Sequence, residues 1–170
     1  MGVDLFLFVE VNKDKKWIPL YKDPVDCEEC KCDEENECDD DECDDDENEN
    51  EEDQCIICRG TRKINKNSYF HQNYDLYMLF GYDKYHVKSF PADRGLPMDS
   101  TLIPDSDDWS FISGKEFIRG PVEDWNTKMI ENTTYKTALA PLQKSGFVEW
   151  IKQLVFLSGD ENVRILWYFA

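Results

Sequence analysis

Histidine is nearly absent from this chain, with only His71 and His86 in 170 residues. Neither belongs to a ligand-spaced motif, so both read as surface or packing residues rather than metal ligands. Long apolar runs are missing too. Nothing approaches the roughly 20 residues needed to cross a bilayer. The opening Met1-Gly2-Val3-Asp4-Leu5 lacks the basic stretch of a secretory leader. Gly2 does not make a myristoylation site, because Phe6 stands where Ser or Thr is wanted. Basic clusters are scarce, so direct nucleic-acid binding is not expected. These absences point to a soluble cytoplasmic protein without a membrane partner. In such a setting the formal sequon Asn132-Thr133-Thr134 is a chance match.

Acidic charge is plentiful but local. The chain carries a net charge of −18. Residues 27–58 hold 18 acids and one lysine, a net of −17, while the remainder holds 19 acids and 18 bases, a net of −1. A nearly neutral body therefore bears one charged segment, which argues against whole-surface mimicry of DNA. Aromatic residues make up 14% of the chain, enough to build a packed core in the body.

The body reads as α+β. Residues 3–11, VDLFLFVEV, are apolar on both parities, which predicts a strand buried on both faces. A polar turn leads to a second strand over 16–22. Pro19 has no N–H for a ladder, which puts that strand at an edge or on a bulge. Asn73 can cap a helix over Tyr74 to Phe80, stopped by Gly81. A short strand is expected over Tyr85 to Phe90, and a loop over 91–108. Ser113 can cap a helix over Gly114 to Arg119. Pro121 suits the first turn of another, reaching about Glu131. The strongest helical pattern starts near Pro141, carries Leu142, Phe147, Trp150, Ile151, Leu154 and Leu157, and ends at Ser158-Gly159. Residues 163–169, VRILWYF, are too apolar for an open edge and belong inside the sheet. The expected arrangement is one α+β domain from residues 1–22 and 64–170, with 23–63 as an insertion. A small sheet, made of the N-terminal hairpin and the C-terminal strand, packs against several helices.

Within the insertion, Cys27-Glu28-Glu29-Cys30 and Cys55-Ile56-Ile57-Cys58 form two Cys-x-x-Cys units. Each turn sets two thiolates at tetrahedral spacing for zinc, and Gly60 follows the second. Cys27, Cys30, Cys55 and Cys58 together make a closed, structural zinc site of zinc-knuckle type. Alternatives are a ligand set that includes Cys32, Cys38 or Cys43, or no metal. We read those three as free thiols. A redox role would need a thioredoxin-like setting, which the sequence lacks. Residues 33–53 are too charged to offset their ordering entropy and are expected to be mobile. Their carboxylates suit Ca²⁺ only diffusely, because the glycine of a tight calcium loop is missing.

Several motifs in order resemble a family of small uncharacterised proteins from bacteriophages and other viruses. They are Met1-Gly2-x-Asp4 with Phe8-Val9-Glu10-Val11, Lys16-Trp17 with Pro19-Leu20, and Asn73-Tyr74-x-Leu76 with Leu79-Phe80-Gly81. Arg94-Gly95-Leu96-Pro97-x-Asp99, Trp109-Ser110 and Asn162-Val163-Arg164-Ile165 complete the set. Some members carry paired Cys-x-x-Cys units between the hairpin and the first helix. The resemblance implies a viral protein acting in the host cytoplasm. Members commonly place a His two residues after the Asp of the opening motif, and others near the Trp-Ser element. Here Phe6 and Asp107-Asp108-Trp109-Ser110 stand instead. A catalytic metal held by those histidines would be lost in this chain.

The remaining candidate ligand-binding residues are Asp4, Asn73, Arg94 and Asp99. A guanidinium in the Gly- and Pro-fixed turn at Arg94 can hold a carboxylate or phosphate in bidentate fashion. Arg94 can equally pair with Asp99 or Asp4 to pin the loop. The function expected is non-enzymatic binding, with a protein partner, such as a host factor, or a small anionic ligand such as a signalling nucleotide. A metal-dependent phosphoester hydrolase built on Asp4 and Asp99, and a virion component, are the alternatives.

Overall fold

The structure is a computed structural model that describes residues 4–22, 24–26, 63–65, 69–81, 90, 94–102, 109–130 and 132–170. Two long apolar strands dictate the architecture. β1 (Asp4–Lys13) and β9 (Val163–Phe169) pair antiparallel from Leu5↔Phe169 to Val11↔Val163. With side chains alternating across each strand, residues apolar at both parities need a cover on both sides. Both covers are present. One face of the pair carries Leu5, Leu7, Val9, Val163, Ile165 and Trp167 into the main core. The other carries Phe6, Phe8, Leu166 and Tyr168, packed with Trp109, Leu102 and Leu96. The C-terminal strand lies inside the sheet, as its composition predicts.

The remaining strands complete a five-stranded antiparallel sheet. β2 (Lys16–Leu20) returns from β1 through Asp14 and Lys15, whose φ values of 53° and 66° make a two-residue turn of type I′ twist. Pro19 lies opposite Glu10 on this edge strand, where its missing N–H costs no inner ladder bond. β5 (Tyr69–His71) pairs with the start of β1 on the same side, and β6 (Ser110–Ser113) pairs with β9 on the other. The strand at 69–71 is not foreseen by the sequence pattern. The strand expected over 85–90 falls almost wholly outside the described residues.

The main-core face is covered by helices. α1 (Tyr74–Leu79) starts at Asn73, whose side chain accepts the Leu76 N–H at 3.1 Å. Trp167, fully buried, donates its indole N–H to Phe80 O at 2.8 Å, so no polar atom of that ring is stranded. α2 (Gly114–Phe117) begins at Ser113 with a reciprocal capping box to Glu116. The helix expected from Pro121 to about Glu131 does not form. α2 continues as a single π-type turn over Ile118–Val122, broken by Gly120 at φ −98°, ψ −107°. The chain then turns back to pair β7 (Lys128–Ile130) with β8 (Thr133–Thr134). Trp125 O and Thr127 O accept the N–H groups of Lys136 and Tyr135, a tertiary use that competes with helical continuation.

The helix expected from Pro141 is also corrected. Two helices occur, α3 (Tyr135–Lys144) and α4 (Phe147–Ser158). Thr134 caps α3 through its hydroxyl, and Pro141 sits inside it rather than at its start. Gly146, at φ 73°, breaks the run, and Lys22 Nζ donates to Ser145 O at 2.7 Å at the end of α3. β3 (Pro24–Asp26) and β4 (Lys63–Asn65) form a separate ladder with Asp26 opposite Lys63. The four zinc-ligand candidates and the segment 33–53 lie outside the described residues, as does His86.

Candidate functional site

Arg94 opens the segment 94–102 that lies against the second face of the sheet. Gly95, at φ 73°, turns the chain and donates its N–H to Trp109 O at 2.8 Å. The Arg94 guanidinium donates to both Glu116 oxygens, at 3.0 and 3.3 Å, and to Phe111 O at 3.1 Å. It also lies 5.5 Å from the Phe111 ring centroid. Glu116 is simultaneously the acceptor that closes the α2 capping box, taking the Ser113 N–H at 2.8 Å. Burial pushes the Glu116 carboxyl up, but Arg94 and the Ser113 N–H outweigh it and leave the group below its usual range. Arg94 thus pairs with Glu116, rather than with the Asp99 or Asp4 partners considered from the sequence.

Asp99 has a different arginine. Its Oδ1 accepts from Arg164 Nη1 at 2.7 Å, and that bond holds the carboxyl below its usual range. Arg164 is 7% exposed at the side chain, and its Nε donates to the fully buried Glu10 at 2.7 Å. The other Glu10 oxygen accepts from Ser100 Oγ at 2.8 Å and from Thr101 N at 3.2 Å. Trp17 closes the group, with its ring centroid 3.9 Å from the Arg164 guanidinium carbon. The network ties residues 99–101 to the centre of the sheet. A buried carboxylate is tolerable here because both of its oxygens have donors.

Asp4 and Asn73 stand near the β5 edge. Asp4 is fixed by reciprocal backbone bonds with Ala170, at 2.8 and 3.1 Å. Its carboxylate meets His71 Nδ1 at 2.5 Å, with His71 54% exposed. Asn73 spends its side-chain oxygen on the α1 cap. Sequence reasoning picked Asp4 but not His71, since a strand at 69–71 is needed to bring them together. It also missed Glu10 and Arg164, although Glu10 is the one charge among the apolar residues 5–11 and Arg164 the one charge of β9, and the two are of opposite sign.

A cleft of about 390 Å³ opens beside Arg164. Trp17 of β2, Phe111 and Ser113 of β6, Lys115 and Glu116 of α2, and Glu161 form its walls, over Val163 and Arg164. The cations around it are paired: Arg164 with Glu10 and Asp99, Arg94 with Glu116, and Lys115 with Glu161 at 2.9 Å. Among the described residues no group of three or more His, Cys, Asp or Glu is placed to hold a metal, and no helix is long and apolar enough to cross a membrane. Comparison with protein-family models, curated proteins and solved structures finds no match for this chain.

Proposed function

We propose that this is a non-enzymatic binding protein, viral by its resemblance, that holds out a zinc-closed acidic insertion from a neutral body to a protein partner in the host cytoplasm. The observation that carries the reading is the β3–β4 ladder. It sets residues 26 and 63 opposite each other, so the chain leaves for the insertion and returns from it at one place. Cys27 follows that ladder directly in sequence, and the 18 acids of residues 27–58 fall between its two strands along the chain. The engagement of Arg94, Asp99 and Asn73 in holding the fold also favours binding over chemistry at those residues.

A partner should be captured by the full chain and lost on deletion of residues 33–53. Capture unchanged by that deletion would reduce the acidic run to a spacer. Native mass spectrometry should find one tightly held zinc per chain, removed by Cys27→Ser with Cys55→Ser. Sequestration of a nucleotide is the less favoured form of the reading. The cleft is of suitable size, but a phosphate would have to displace a carboxylate from each cation it met.

A metal-dependent hydrolase is the second reading, and Asp4 with His71 is what favours it. A carboxylate on Nδ1 fixes the imidazole tautomer and orientation, which suits a metal ligand or a general base. Divalent-dependent turnover of phosphoesters, abolished by His71→Ala or Asp4→Ala, would replace the binding reading. Presence of the protein in purified particles would instead support a virion component.

A further inference from the structure

We infer that the cleft between Trp17 and Phe111 receives an arginine side chain from a basic partner protein. The inference rests on the proposed binding function and names the chemistry by which the body takes part in it. Its first support is the way the chain uses this surface already. Arg164 lies 3.9 Å from the Trp17 ring centroid while paired with carboxylates, and Arg94 lies 5.5 Å from the Phe111 centroid while paired with Glu116. Arg94 is held by one ring and one acid, and Arg164 by one ring and two acids. Arg recognition on protein surfaces commonly combines these two elements.

The second support is charge and access. Glu161 and Glu116 are 70% and 43% exposed at the side chain, against 38% for Lys115 and 7% for Arg164. An approaching group therefore meets the acids first. Among the described residues, Glu161 is held by Lys115 through one contact at 2.9 Å between exposed partners. Such a pair contributes little and is readily exchanged. A planar guanidinium can take both Glu161 oxygens where the lysine takes one. The strongly negative insertion on the same chain would draw a basic partner toward the body before the cleft is engaged.

The experiment is a titration of the ¹⁵N-labelled full chain with the peptide acetyl-Gly-Ser-Arg-Ser-Gly-amide, using the norleucine analogue as control. Saturable shifts are expected at the Trp17 indole and at the amides of Ser113, Lys115 and Glu161, and not with the control. Loss of the acid in Glu161→Lys should weaken binding by about 10-fold or more, in the range of a lost interfacial charge pair. Lys115→Ala, which releases Glu161, should tighten it, an effect that a merely structural role for the residue would not produce. Shifts confined to residues 27–62, or binding unaltered in Glu161→Lys, would overturn the cleft while leaving the basic-partner reading in place. No shift anywhere with the arginine peptide would remove the cleft, and failure of a basic protein to bind the full chain would remove the underlying reading.

Discussion

Glu10 and Arg164 lie directly opposite each other on β1 and β9, 154 residues apart in sequence, and are joined at 2.7 Å with both side chains buried. Removing Glu10 leaves a buried guanidinium supported mainly by the exposed Asp99. Glu10→Ala should therefore cost about 3–5 kcal/mol in urea unfolding, the range for breaking a buried pair. Replacing both partners, as Glu10→Leu with Arg164→Met, should cost less than either single loss, because no charge is then left uncompensated. A double variant as unstable as the sum of the singles would show that the two residues contribute independently and that no orphaned charge accounts for the single losses.

Acid should loosen the segment around Asp99. Its folded-state carboxyl is held below the ordinary value by Arg164, so its contribution is present above the unfolded pKa and is lost as pH falls through the folded one. That places the loss below about pH 4, given an unperturbed Asp near 3.9. Asp99 is 66% exposed, so screening limits the contribution to under about 1 kcal/mol. Amide exchange of residues 97–102, corrected for intrinsic rate, should rise between pH 4 and pH 2. Asp99→Asn should reproduce that rise at pH 7.

Lys15 occupies a left-handed turn position at φ 66°, where a side chain is strained and glycine is not. Lys15→Gly should stabilise the hairpin by about 1 kcal/mol, read as a higher urea midpoint at constant slope. An unchanged or lower midpoint would mean that Lys15 makes compensating interactions.

Gly114 permits a close approach between the start of α2 and α4. A Cβ there would lie 2.5 Å from Val155 Cγ2 and 3.1 Å from Val163 Cβ. Gly114→Ala should cost about 1–3 kcal/mol by overpacking. Adding Val155→Ala should recover part of that loss. Failure to recover would place the clash at Val163.

The legible parts of the fold were those with local signals. Apolar residues on both parities of β1 and β9 implied two covers, and both covers exist. Asn73 and Ser113 cap the helices they were expected to cap. Pro121 and Pro141 misled because proline's usual position at a helix start was overridden by tertiary bonds from Trp125 and Thr127 and by the Thr134 cap. In the candidate site, the sequence identified Arg94 and Asp99 but joined them to the wrong partners. Each finds its counter-charge on a segment distant in sequence, at Glu116 and Arg164 respectively. Such pairings depend on sheet order, which motif spacing does not encode.

The small β3–β4 ladder makes the acidic segment a cassette. Directly paired strands stand about 5 Å apart, so any linker that spans that gap satisfies the body. Loop closure penalties grow only with the logarithm of length, so trimming the 36 residues 27–62 to a four-residue turn would return only about 2 kcal/mol. Length and charge at this position can therefore drift widely at small cost to the sheet. A labelled or differently charged segment installed between Asp26 and Lys63 should leave the remaining architecture folded.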